Sequence, residues 1–141
     1  AGTPVRAAYA GEIIRADTEY ESPTREDFAR VAADISSKGE GDAETLDFYR
    51  GRQIWISHGA GVVTRYGHLG GIAEGLSVGI SVKGGQVIGH VGESGTPESV
   101  VNPGTQNHLH FELRIGDNFL GQDLEVDRVR AAYELLFSSA R

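Results

Sequence analysis

HLHFE, residues His108–Glu112, alternates a polar side chain with an apolar one. Side chains of an extended strand point to opposite faces in turn. His108, His110 and Glu112 therefore share one face, and Leu109, Phe111 and Leu113 share the other, which is the expected core side. Two imidazoles are thereby aimed together at a groove or at solvent. Read as a strand, the segment extends over His108–Ile115.

Outward from this strand, residues 51–121 read as short β-prone runs separated by glycine: Gln53–Ser57, Gly61–Tyr66, Val78–Val82 and Gln86–Val91. Val5–Ile14 reads as a further strand. Strands of this length and spacing predict a mainly β fold, an antiparallel barrel or sandwich of short glycine-punctuated strands. Lys83-Gly84-Gly85 is a turn, and a longer loop runs from Gly92 to Asn107. Two segments have a helical period instead. Over Thr24–Lys38, the residues Phe28, Val31, Ala32 and Ile35 fall on one face. Ser22 or Thr24 can cap it, Asp27 standing three after Thr24 as in a capping box, and Gly39 marks the end. A second short helix is expected over Ala43–Tyr49. Together they form an inserted helical segment of about residues 22–50, within a wider insertion at about 15–50 that interrupts the β-runs. A C-terminal helix, Glu125–Ser138, carries the stripe Val126, Val129, Tyr133, Leu136 and Phe137.

With 141 residues, the chain is the size of one domain, 1–141. Its net charge of -7 argues against a nucleic-acid partner, because phosphate binding needs clustered Lys and Arg. There is no cysteine, so disulfides and thiolate metal sites are excluded, and any metal must be held by His, Asp or Glu. No stretch is apolar for long enough to span a bilayer. The first residues, AGTPVRAAYAG, lack the pattern of a signal peptide. With no methionine anywhere, Ala1 is not a translation start, and the chain reads as a processed or partial product.

The remaining histidines sit at strand ends or within strands. His68 ends the run from Val62 where a strand passes into Gly70-Gly71, a place where functional groups stand on rigid scaffolds. His58 lies at a similar strand end, and His90 alternates within a hairpin strand.

These pieces together resemble the catalytic domain of the lysostaphin-type, or LytM-like, zinc endopeptidases of bacterial cell walls. The matching residues run in that family's order: Gly2-Thr3-Pro4-Val5 with Ala8, Gly11 and Ile13; IWISHGAGVVTRYGHL from Ile54 to Leu69; Val78-Gly79, Val82 and Gly85–Gly89 with Gly92; Ser94-Gly95-Thr96; and HLHFE. The resemblance implies a zinc metalloendopeptidase that hydrolyses peptide bonds of peptidoglycan stems or cross-bridges, extracellularly or in the cell envelope. It implies His110 as a zinc ligand, with His68 and His108 as the catalytic histidines that flank the attacking water. His58 and Asn107 are expected to line the groove. Zinc lowers the pKa of water to about 7, and imidazole is suited to moving that proton near neutrality.

The chain departs from the family's pattern in three places. The family takes its remaining His and Asp ligands from an H-x-x-x-D motif just before the G-T-P-V segment, and this sequence starts at Ala1. Those ligands are expected upstream of Ala1, so zinc should be weakly held or absent in the chain itself. The alternative reading is a non-catalytic, degenerate relative that binds cell wall or regulates another wall hydrolase. The insertion at about 15–50 and the loop Gly95–Asn107 are both longer than usual. They are expected to shape substrate choice without touching the histidines.

Overall fold

The computed structural model of the chain describes residues 1–138. The chain runs through β1 (Pro4–Arg6), β2 (Gly11–Ala16), α1 (Arg25–Lys38), α2 (Ala43–Arg50), β3 (Ile54–Ser57), β4 (Val62–Gly67), β5 (Leu69–Ile72), β6 (Ser81–Val82), β7 (Val87–Val91), α3 (Glu98–Val101), β8 (His110–Ile115), β9 (Asn118–Phe119) and α4 (Val126–Ser138). The strands form two antiparallel sheets, β1-β7-β5 and β6-β2-β3-β4-β8-β9. Neither sheet closes on itself, so the fold is the sandwich-like form of the expected architecture and not the barrel.

Alternation along the strands builds the core. Ile13, Ile54, Ile56 and Tyr66 of the larger sheet are buried in one cluster with Val5, Leu69 and Ile88 of the smaller one. Each such side chain contributes roughly 1.5–3 kcal/mol by leaving water. The opposite face of the larger sheet carries the next residues in register: Arg15 beside Trp55, Trp55 beside Arg65, and Arg65 beside Glu112.

Several element boundaries differ from expectation for physical reasons. Val5–Ile14 is two strands rather than one, because β1 pairs with β7 while β2 pairs with β3 in the other sheet. The crossing is held by the Tyr66 hydroxyl, which accepts the Ala8 N–H at 2.8 Å. Val78–Val82 shrinks to Ser81–Val82, since Gly79 takes φ 88° and breaks the extended ladder. The HLHFE strand starts at His110, and His108 joins the sheet only through an isolated bridge to Gly92. Leu109 therefore lies beyond the last paired row and is 38% exposed, outside the core that the alternation predicts for it. Phe111 does turn inward, its ring 5.3 Å from Tyr66 and 5.9 Å from Phe137 of α4.

The helical segment leaves and re-enters the sheet at neighbouring positions, because Ala16 pairs with Ile54. The capping box forms as predicted: Thr24 accepts from the Asp27 N–H, and Asp27 accepts from the Thr24 N–H. Of the predicted apolar face of α1 only Phe28 is buried, packed 5.1 Å from Phe48 of α2. The helices thus stand on a small aromatic cluster of their own. No described helix is long and apolar enough to cross a membrane.

Tyr66 is 1% exposed and its hydroxyl serves the Ala8 N–H. Tyr66→Phe should cost about 1–3 kcal/mol, the penalty of leaving a largely buried donor unpaired. Urea denaturation should show a lower midpoint with an unchanged slope.

Candidate functional site

Pairing of β4 with β8 places Gly67 opposite His110. A Cβ on Gly67 would sit 3.4 Å from the His110 Cβ and 3.1 Å from the Arg50 carbonyl oxygen, so the bare glycine lets the three backbones approach. The next residue, His68, has φ 56°, in the left-handed region. A residue with a Cβ pays on the order of 1–3 kcal/mol there and stays only where its surroundings hold it. They do so here: the His68 N–H donates to the Arg50 carbonyl at 2.8 Å, and the His68 carbonyl accepts the Gly92 N–H at 3.1 Å. Gly92 in turn accepts the His108 N–H through its own carbonyl at 3.1 Å. One residue of backbone thus links two histidines from distant parts of the chain. A Cβ at Gly92 would fall 2.4 Å from the Gly70 nitrogen, which excludes any side chain.

Three of the sequence-predicted residues therefore come together. The His68 ring lies 4.5 Å from that of His108 and 5.6 Å from that of His110, centroid to centroid. Each imidazole has one nitrogen tied to an acceptor. His68 Nδ1 meets the Ser94 carbonyl at 2.8 Å, His108 Nδ1 meets the Gln106 carbonyl at 2.6 Å, and His110 Nε2 meets Glu112 Oε1 at 2.9 Å. A carbonyl or carboxylate only accepts, so these nitrogens carry the protons. In the neutral rings, His68 Nε2, His108 Nε2 and His110 Nδ1 are left with lone pairs. His68 is 8% exposed, and burial, with the charges of His108 and His110, holds its pKa below the ordinary histidine value. It is the neutral form, able to accept a proton, that the site favours.

Alternation places Glu112, the last residue of HLHFE, on the histidine face. It is a hub. Its carboxylate accepts from His110, from Arg50 Nε at 2.8 Å and from Arg114 Nη1 at 3.2 Å, with Arg65 at 3.7 Å. The hydrogen bond from His110, reinforced against burial by Arg50 and Arg114, pulls its pKa down to about 2. A carboxylate behind the second nitrogen of a histidine is the usual way a metal-binding imidazole is oriented and made more basic. His110 is the one of the three histidines so equipped.

The other predicted residues lie elsewhere or contribute otherwise. His58 is not with the three. Both its nitrogens are engaged, with the Ala10 carbonyl at 2.9 Å and the Thr64 hydroxyl at 2.8 Å. It lines a separate apolar cavity of about 300 Å³ with Tyr9, Leu113 and Phe137. Asn107 precedes His108 and spends its amide on the Gly104 carbonyl at 2.8 Å. The helical segment and the long loop do touch the histidines, contrary to expectation. Arg50 at the end of α2 anchors the His68 backbone, Gln106 from the loop anchors the His108 ring, and Ser94, just before the loop, anchors that of His68. Sequence reasoning missed these because the contacts are made by backbone carbonyls, which leave no mark in residue type. Among the described residues no group of three or more His, Cys, Asp or Glu is arranged to hold a metal ion. His110, backed by Glu112 at 2.9 Å, is the histidine among them with a carboxylate partner.

Comparison with known proteins gives a consistent picture. Residues 1–122 match the family described as Peptidase family M23. The DD-carboxypeptidase/endopeptidase Mpg of Neisseria meningitidis serogroup B is 38% identical over 65 residues, which cover 46% of this chain and 13% of that protein. The chain thus spans about an eighth of the curated relative's length. Among solved structures, the catalytic domain of a mutant of the prophage-encoded M23 protein EnpA from Enterococcus faecalis superposes with TM-score 0.54 at 24% identity, covering 89% of this chain and 71% of that one. The antimicrobial peptidase lysostaphin from Staphylococcus simulans gives TM-score 0.51 at 26% identity, over 82% of this chain and 33% of that one.

The lowered pKa of Glu112 fixes a pH dependence. The unfolded carboxyl takes up its proton near the ordinary value of 4.5 and the folded one near 2, so stability is present above 4.5 and is lost as pH falls between them. Thermal melts of wild type across that range should drop more steeply than those of Glu112→Gln. Parallel curves would show that the carboxylate is not held this way.

Proposed function

The chain belongs to peptidase family M23, and from that premise we propose that it is a zinc-dependent endopeptidase hydrolysing peptide bonds in bacterial peptidoglycan stems or cross-bridges. The observation that carries this reading is the set of three adjacent imidazoles, each with one nitrogen anchored and the other left with a lone pair. The name of the neisserial relative, a DD-carboxypeptidase/endopeptidase, supports the choice of reaction. Such a protein works outside the cytoplasm, in the envelope or beyond it, where its substrate lies.

Roles follow from how each ring is held. His110 would hold the zinc, with its ring oriented by the Glu112 carboxylate at Nε2. The remaining ligands are not among the described residues. Zinc, when bound, supplies Lewis acidity toward the scissile carbonyl and the attacking water. His68, kept neutral by burial, accepts a proton at Nε2. His108 is more exposed and stands 4.5 Å from His68, where it orients the reacting groups and steadies developing negative charge. Proton transfer by a positioned imidazole is worth about 10²–10⁴-fold in rate.

A second reading, a non-catalytic member of the family that binds wall material or regulates another hydrolase, is favoured by one observation: no described group of three ligands. Zinc content separates the two. In the full-length natural protein, mass spectrometry should find one zinc per chain, and purified peptidoglycan should release peptides on incubation. His68→Ala and His108→Ala should each lower that release by at least 10²-fold with zinc content retained and, for the exposed His108, an unchanged melting temperature. His110→Ala should lose the zinc as well. A zinc-free, inactive full-length protein would establish the non-catalytic reading. Zinc lost from the His68 or His108 variants but kept in His110→Ala would reverse the roles.

A further inference from the structure

The outer face of the larger sheet has an unassigned feature beside the histidines. Arg15, Trp55, Arg65 and Glu112 form a row across four strands, each opposite the next. Together with α2, this face encloses a cavity of about 560 Å³ whose lining includes Arg50, Trp55, Arg65 and Arg114. On a chain of net charge -7 this is a local concentration of cations.

Charge is unevenly matched within it. Arg15 is fully engaged by Asp17 and Asp47, at 2.8 and 2.6 Å. At the other end three guanidinium groups, those of Arg50, Arg65 and Arg114, share the single carboxylate of Glu112, which already serves His110. Arg65 is the least satisfied. It lies over the Trp55 ring at 3.7 Å, and its ion-pair contact with Glu112, also 3.7 Å, is beyond hydrogen-bond reach. Its Nε and that of Arg114 are buried with no hydrogen-bond partner among the described residues. Burial and the charges of Arg114, Arg50 and Arg15 hold the Arg65 pKa below its ordinary value, as a surplus of like charge requires. The one unengaged carboxylate on the lining, Glu44, is exposed at the rim.

We propose that this pocket, formed by Arg65, Arg114 and Arg50 over Trp55 and roofed by α2, binds a carboxylate of the peptide substrate. Arginine presents paired donors that match a carboxylate, and Trp55, covered by the Arg65 and Arg15 guanidinium groups at 3.7 and 4.9 Å, holds Arg65 in place. The pocket lies on the same sheet face as His110. Along β8, Glu112 and Arg114 stand about 7 and 13 Å from His110. An extended peptide alongside advances about 3.3 Å per residue, so the recognised carboxylate sits two to four residues from the bond held beside His110. The inference rests on the peptidase reading only for the choice of a peptide as the bearer of the carboxylate.

The test uses binding, independent of metal and turnover. Trp55 is the only tryptophan of the chain, so its fluorescence reports occupancy of the pocket. Two pentapeptides, N-acetyl-Ala-Glu-Lys-Ala-Ala amide and the same peptide with Gln for Glu, are titrated into the chain. The Glu peptide should bind at least tenfold more tightly, and the advantage should shrink at high salt. Arg65→Gln should bind the two peptides equally with an unchanged melting temperature; if that variant does not fold, Arg114→Gln reads the same pocket. Affinities within twofold in wild type, absence of binding by either peptide, or discrimination retained in a folded variant would overturn the proposal. Peptide release from peptidoglycan by the full-length protein is scored separately. Its loss sinks the peptidase reading, whereas loss of discrimination alone sinks only the carboxylate pocket.

Discussion

Six paired rows between β4 and β8, from Val62–Ile115 to Gly67–His110, are the constraint on which the rest of the molecule depends. The pairing has two consequences because a strand has two faces. Inward, it sets Phe111 against Tyr66 and Leu113 against Thr64, closing the sheet over the core. Outward, it sets Arg65 against Glu112 and ends with Gly67 beside His110, so that the residue after the strand, His68, emerges next to that imidazole. A slip of one residue would send His110 and Glu112 into the core and Phe111 into water. The apolar face therefore fixes the register, and the histidine geometry follows from it.

Around this pairing the site is held mainly by backbone. Gly92 joins the His68 carbonyl to the His108 N–H, the Ser94 and Gln106 carbonyls fix two rings, and the Arg50 carbonyl holds His68 in its left-handed conformation. Only His110 depends on a side chain, Glu112. That carboxylate is itself held by arginines, and a largely buried charge of this kind is stable only while its partners remain. Rings fixed through backbone have little conformational freedom left to lose.

The sequence made some of this legible for identifiable reasons. The period-two alternation of HLHFE placed His110, Glu112 and Phe111 on their correct faces. It overreached at His108 and Leu109, because alternation continues in sequence past the point where pairing stops. The Thr24–Asp27 box and Gly39 marked α1 closely, since caps are local chemistry. The packing of α1 was not legible: an apolar stripe states what a helix is able to bury, and here only Phe28 is fully buried. His58 resembled His68 in sequence, each ending a β-run, yet its two hydrogen bonds and its apolar cavity separate it from the other three. Nothing in residue type distinguishes a histidine tied at both nitrogens from one tied at a single nitrogen.

The helical segment is where the sequence reading changes most. As a long departure between two paired strands, it reads as an addition to the sheet that shapes only the groove. Its last residue contradicts this. The Arg50 carbonyl receives the His68 N–H, and the Arg50 guanidinium holds Glu112, which orients His110. One residue thus couples the segment to two of the three imidazoles, through backbone on one side and charge on the other. Because Gly67 lacks a Cβ, the Arg50 carbonyl reaches the sheet there. Removing α2 would therefore leave the His68 conformation without its nitrogen's acceptor and Glu112 without its closest guanidinium. The segment is a structural condition of the histidine cluster, and its conformation bears directly on how the imidazoles are presented.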